Sequence, residues 1–146
     1  MKFKSLPTII LAFIFLSACQ SGNSVSVSPN STTIGKQVQT DDGSYFDLTV
    51  NELNSLLDKK DFLLVNVHTP FEGNLPKTDL SIPYDEIGQN LNKLPAEKNA
   101  KIVLYCRSGH MSGIAAKELV KLGYTNISEL AGGLAAWEQA GLKVEK

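Results

Sequence analysis

Cysteine is scarce in this 146-residue chain, with only Cys19 and Cys106 present, so a framework of several disulfides is excluded. An excess of one charge is missing too. Fourteen basic and 15 acidic residues leave a formal net charge of -1, and the basic residues are scattered without an aromatic-basic stripe, which argues against nucleic acid as a partner. There are two histidines, His68 and His110. A metal site on Cys106 and His110 would lack the further ligands it needs, so neither metal nor cofactor is expected. The apolar run Pro7 to Leu16 is too short to span a bilayer comfortably. The length suits one ordinary domain and not two.

The first forty residues stand apart. Lys2 and Lys4 make a basic start, the apolar run follows, and it ends in Leu16-Ser17-Ala18-Cys19. That order resembles a bacterial lipoprotein signal with its lipobox. The resemblance implies that residues 1–18 are removed and that Cys19 carries the lipid. Gln20 stands where an aspartate would mark inner-membrane retention. This leans toward the outer membrane, facing the periplasm, in a Gram-negative source; otherwise the outer face of the cytoplasmic membrane is expected. Residues 19–40 are rich in Ser, Asn, Thr and Gly and read as a flexible tether, with the folded domain spanning 41–146. Cys106 is then the only free thiol. In an oxidising compartment that is a liability unless the thiol is buried or used.

From Asp41 onward the pattern alternates. Tyr45–Leu48 reads as a strand, and Thr49-Val50-Asn51-Glu52 as a capping box opening a helix with Leu53, Leu56 and Leu57 on one face. Phe62–Val67 and Ile102–Tyr105 are almost wholly apolar, as strands buried on both faces should be. Leu80–Pro83 reads as a brief extended piece and Tyr84–Leu94 as a helix. Ser112–Leu122 is a helix ended by Gly123, Ile127–Leu130 a last strand, and Leu134–Ala140 a final helix. Ile114, Leu134 and Trp137 are core candidates, and Glu97, Lys98 and Lys101 a solvated turn. Strands separated by ten-residue helical patterns predict an α/β domain with a mainly parallel sheet and helices on both faces.

In such sheets ligands sit at the carboxyl ends of strands, and Cys106 occupies such an end. The segment Cys106-Arg107-Ser108-Gly109-His110-Met111-Ser112-Gly113 lies between strand and helix. Gly109 allows a tight turn in which successive amides converge, and the following helix adds its unpaired N–H groups, so a thiolate there is stabilised. By position alone Cys106 suits a buried structural cysteine equally well. The polar and glycine content of the next seven residues argues against burial in an apolar core.

Val103-Leu104-Tyr105-Cys106-Arg107-Ser108-Gly109-His110 resembles the active loop of rhodanese-type sulfurtransferases. The resemblance runs from Tyr45 to Val144, through Leu64–Pro70, Asn74-Leu75-Pro76, Leu80–Pro83, Gly123-Tyr124 and Leu130-Ala131-Gly132-Gly133-Leu134-Ala135-Ala136-Trp137. It implies a rhodanese-like fold in which Cys106 takes sulfane sulfur from a small donor such as thiosulfate or a persulfide. The sulfur is held as a cysteine persulfide against the amides of residues 107–112 and passed to a thiol, cyanide or sulfite. A protein donor or acceptor is compatible with this, and so is a membrane-tethered sulfur carrier that does not turn over.

Four residues depart from the family pattern. Met111 replaces a second cation found in many thiosulfate-using members, which weakens the case for thiosulfate. Arg107 is then the loop's only fixed charge, and it either contacts a substrate oxyanion or points outward. His110 is read as a rim residue. Asn66 and His68 replace a usual aspartate and arginine, a change expected to bear on structure more than chemistry, and Asn74 replaces a common histidine. Phosphatase or arsenate reductase chemistry is disfavoured, because cysteine phosphatases with this layout need an arginine where Ser112 stands. A thioredoxin-like cycle would need a resolving thiol from elsewhere.

Overall fold

The computed structural model describes residues 34–146. The expected signal segment, Cys19 and most of the tether lie outside the described residues. Six strands form one sheet in the order β1-β2-β6-β5-β3-β4. They are β1 (Lys36–Thr40), β2 (Gly43–Leu48), β3 (Leu63–Asn66), β4 (Leu80–Ser81), β5 (Ile102–Tyr105) and β6 (Ile127–Leu130). Only β1 and β2 pair antiparallel; β2–β6, β6–β5, β5–β3 and β3–β4 are parallel. Three α-helices accompany them among the described residues: α1 (Val50–Asp58), α2 (His110–Lys121) and α3 (Gly133–Gln139).

Side-chain alternation along the strands builds two apolar layers. Val65, Ile102, Leu104 and Ile127 pack on one face with Ala115, Ala116, Leu119 and Val120 of α2. Leu64, Val103, Tyr105 and Leu130 pack on the other with Leu53 and Leu57 of α1 and Leu134 and Trp137 of α3. Both faces of β3 and β5 are therefore dry, which is why these strands are continuous apolar runs.

The capping box forms as its spacing predicts. Thr49 N–H donates to Glu52 Oε2 at 2.8 Å, and Glu52 N–H donates to Thr49 Oγ1 at 3.3 Å. The Thr49 N–H, the Thr49 hydroxyl and Gly35 N–H all donate to the Glu52 carboxylate and hold it below its usual range. Thr49→Ala should cost about 1 kcal/mol in urea unfolding. An unchanged midpoint would show that α1 is held by packing alone.

Three expectations fail. The segment read as tether up to residue 40 forms β1 in its last five residues. This edge strand needs little more than backbone pairing with β2 and the partial burial of Val38, so its polar sequence hides it. Tyr84–Leu94 is not an α-helix but two 3-10 turns, Ile87–Gln89 and Leu91–Lys93. Asn90 sits between them and its side-chain amide donates to Glu86 O at 2.9 Å, competing with the backbone ladder a continuous helix would need. Ile114 is 41% exposed, not core, whereas Leu134 and Trp137 are buried.

Candidate active site around Cys106

Cys106 follows β5 directly, between β3 and β6 at the carboxyl end of the parallel strands. It is buried, at 1% exposure, beneath its own loop, contrary to the expectation drawn from that loop's polarity. The loop wraps polar atoms around a sulfur that the sheet keeps dry. Gly109 N–H donates to Cys106 Sγ at 3.1 Å.

The loop's carbonyls are turned away from the sulfur. Cys106 O accepts from Leu134 N–H and Arg107 O from Ala135 N–H, both at 2.9 Å and both from the first turn of α3. Gly109 O accepts from Gly113 N–H at 3.0 Å and from the Ser112 hydroxyl at 3.1 Å. With these acceptors engaged, Gly109 can turn its N–H to Sγ. Gly109 makes this possible with a φ of 90°, and it caps α2 two residues earlier than the sequence spacing suggests. Ser112 thereby lies inside the first helical turn. The amides of His110, Met111 and Ser112 have no partner four residues back, as at any helix start.

The remaining expected site residues divide by exposure. Arg107, Ser108 and His110 are exposed, and Met111 is partly buried with its side chain against the α2-side apolar layer. Ser112 is fully buried, with Oγ 3.5 Å from Cys106 Sγ. Arg107 is not free. Its guanidinium Nη1 lies 2.7 Å from Glu72 Oε2, and His68 Nε2 is 3.4 Å from Glu72 Oε1. An open cleft of about 550 Å³ beside the loop is lined by Arg107, Glu72, Phe71, Gly73, Glu138 and Lys146.

Asn66 acts as a brace. Its amide donates to Gly73 O at 2.9 Å and Asn74 Oδ1 at 3.1 Å, and its Oδ1 accepts from His68 N–H at 2.9 Å. Tyr105 OH joins the same segment through Leu75 N–H at 3.1 Å and Thr78 Oγ1 at 2.7 Å. Among the described residues no group of three or more His, Cys, Asp or Glu side chains is placed to hold a metal ion.

Two residues that the sequence did not single out belong to this region: Glu72, which pairs with Arg107, and Glu129. Glu129 of β6 is buried at 5% exposure, with Oε2 2.5 Å from Ser112 Oγ. Its carboxyl is pushed up to about 7, chiefly by burial; the Ser112 hydrogen bond opposes the rise and the neighbouring Asp47 carboxylate adds to it. The available signal was an acidic residue inside the short strand Ile127-Ser128-Glu129-Leu130, three of whose four residues are buried.

Residues 49–140, more than half of the chain, match the Rhodanese-like domain family. This chain belongs to that family. A sulfurtransferase of Allochromatium vinosum is 36% identical over 104 residues, covering 65% of this chain and 94% of that protein. A mouse thiosulfate sulfurtransferase/rhodanese-like domain-containing protein is 30% identical over 114 residues, covering 68% and 72%. Coverage varies among relatives: an uncharacterized Synechocystis protein is 36% identical over 96 residues, but only 52% of it is spanned. Among solved structures, a rhodanese-like domain protein of Staphylococcus aureus is 31% identical with a TM-score of 0.57, covering 68% of this chain and 98% of that one. The rhodanese-like α/β fold expected from the sequence is the fold observed.

Proposed function

We propose that this rhodanese-like domain is a sulfurtransferase that carries sulfane sulfur as a persulfide on Cys106. The observation that carries the reading is the Gly109 N–H directed at Cys106 Sγ, in a loop whose carbonyls are held away by α3. That arrangement favours negative charge on sulfur, whether on the attacking thiolate or on the outer sulfur of a persulfide. A sulfurtransferase among the chain's relatives adds support.

In the first half-reaction the Cys106 thiolate attacks the outer sulfur of a donor persulfide. A Cys106 Sγ–S bond forms, the donor S–S bond breaks, and the donor thiolate leaves with that electron pair. In the second, an acceptor thiolate, cyanide or sulfite takes the outer sulfur and returns the electron pair to Cys106. Sulfur moves without net oxidation, as in other double-displacement covalent catalysis. The amides of residues 109–112 hold the outer sulfur, while Arg107, Ser108 and His110 edge the approach.

The charge at the mouth bears on the donor. Arg107 is paired with Glu72, and Met111 contributes a thioether packed against the apolar layer, not a cation. A thiosulfate dianion would have to displace Glu72, so a small-molecule or protein persulfide is the preferred donor. A lipid on Cys19 would hold the domain at a membrane of the cell envelope.

Mass spectrometry of the purified protein, after incubation with thiosulfate or glutathione persulfide, tests the reading. One added sulfur atom on Cys106, absent in Cys106→Ser, is expected, with the persulfide the faster donor. No adduct from any donor sinks the proposal. Steady thiocyanate release from thiosulfate and cyanide would establish turnover; a loaded protein that never discharges to any acceptor would be a carrier.

A further inference from the structure

Behind the reactive sulfur lies a buried chain of three polar groups, Cys106 Sγ, Ser112 Oγ and Glu129 Oε2, with separations of 3.5 Å and 2.5 Å. All three residues are at most 5% exposed. A serine hydroxyl has one proton and accepts from others. Ser112 Oγ also has Gly109 O at 3.1 Å, so three acceptors compete for that proton. Which one receives it depends on Glu129.

When Glu129 is ionised, the strongest acceptor is its carboxylate, and Ser112 donates there. The serine oxygen can then accept from the Cys106 thiol. When Glu129 is neutral, its O–H donates to Ser112 Oγ, and the serine proton is free to turn to sulfur. A thiolate then has two donors, Gly109 N–H and Ser112 O–H. The two arrangements differ by the shift of one proton along the chain.

We propose that Glu129 is a positioning residue that stores the proton Cys106 gives up, acting through the Ser112 hydroxyl. The thiol proton passes to Ser112 Oγ as the serine's own proton passes to Glu129 Oε2. Net charge in the buried pocket is unchanged, because one carboxylate is exchanged for one thiolate. When an acceptor removes the outer sulfur, the returning Cys106 thiolate recovers the proton by the reverse shift. The inference rests on Cys106 being the nucleophile, but it concerns ionisation and not sulfur transfer.

The surroundings favour a mobile proton at this place. β2 lies beside β6 with Asp47 in register with Glu129, and it brings both the Asp47 carboxyl and Tyr45 to this region. Asp47 Oδ1 is buried without a hydrogen-bond partner. The Tyr45 phenol is raised by burial and then by the Asp47 and Glu129 charges, so it stays neutral. From β5 the adjoining titratable group is Cys106 itself, and from α2 the contact is the neutral Ser112. Glu129, pushed up to about 7, titrates near neutrality. Two ionisable groups this closely linked release their two protons in coupled steps that belong to the pair.

Thiolate ultraviolet absorbance across pH, with Cys106→Ser subtracted as a blank and no sulfur donor present, tests the relay. The wild-type protein should form thiolate in two steps, because Cys106 and Glu129 titrate as a pair. Glu129→Gln keeps the shape and hydrogen-bonding capacity but stores no proton. It should show one step, at lower pH than the wild type's upper step. Ser112→Ala retains the carboxyl but removes the hydroxyl that donates to the thiolate when Glu129 is neutral, and should shrink the lower step. A single wild-type step, whether unchanged or merely displaced in Glu129→Gln, overturns the proposal, as does a lower step that persists in Glu129→Gln or keeps its full size in Ser112→Ala. Because no donor is used, failure to load sulfur would count against the sulfurtransferase reading and leave this result standing.

Discussion

Gly133→Ala is expected to lower the stability of the domain by about 3 kcal/mol and to abolish sulfur loading of Cys106 even where the chain still folds. Gly133 has a φ of 56°, and a Cβ there would stand 2.2 Å from Cys106 O, 2.6 Å from Arg107 C and 2.8 Å from Arg107 O. All three atoms are backbone, so no rotamer change relieves the overlap. The left-handed conformation alone costs a side-chain-bearing residue about 1 kcal/mol or more. Relief requires α3 to retreat from the loop, breaking the bonds from Leu134 N–H and Ala135 N–H, each worth about 1 kcal/mol net. Freed carbonyls can then rotate toward the sulfur, against its charge. Urea unfolding and mass spectrometry of the loaded protein measure the two effects separately. Gly123→Ala is the control: its φ is 89°, but nothing lies within 4 Å of an added Cβ, so only conformational strain should appear. Equal losses in both variants would show that α3 does not hold the loop.

The second large effect depends on pH. The Glu129 carboxyl rises from its ordinary 4.5 to about 7 in the folded protein, chiefly through burial. Between those values the folded state binds more protons than the unfolded chain, so stability falls as pH rises. The contribution is fully present below pH 4.5 and is lost as pH climbs through about 7. For a group this enclosed the loss amounts to about 2–3 kcal/mol, allowing for partial screening. Glu129→Gln has no charge to bury and should escape it. Urea unfolding of both proteins at several pH values from 4.5 to 8.5 should therefore give curves that diverge as pH rises, the variant being the more stable at the alkaline end. Parallel curves would mean that Glu129 keeps its ordinary ionisation.

How much of this was legible in the sequence follows from which forces each element uses. β3 and β5 announce themselves because burial on both faces demands nearly unbroken apolar runs. α1 does so because Thr49 and Glu52 carry its start in their own side chains. β1 does not, because an edge strand is held by backbone bonds that any polar sequence can make. Residues 84–94 mislead because apolar spacing at Ile87, Leu91 and Leu94 serves 3-10 turns packed on the same layer. Cys106 stood out in the sequence as the candidate centre of the site, but its burial did not. The loop's polar residues read as a sign of exposure, whereas their backbone bonds fold them over the sulfur. Glu129 was invisible for a further reason: it meets Ser112 only after β6 is laid beside β5.

The depth of Cys106 also bears on oxidation. Joining two copies through a disulfide would require their Cβ atoms to approach to about 4 Å, and the loop stands between this sulfur and any second molecule. Two copies would each have to expose a buried sulfur at once, a limit that does not apply to a small peroxide or to a donor whose sulfur stands on an exposed side chain. In an oxidising compartment the thiol is therefore shielded from covalent dimerisation, and sulfenic acid is its more accessible route of damage.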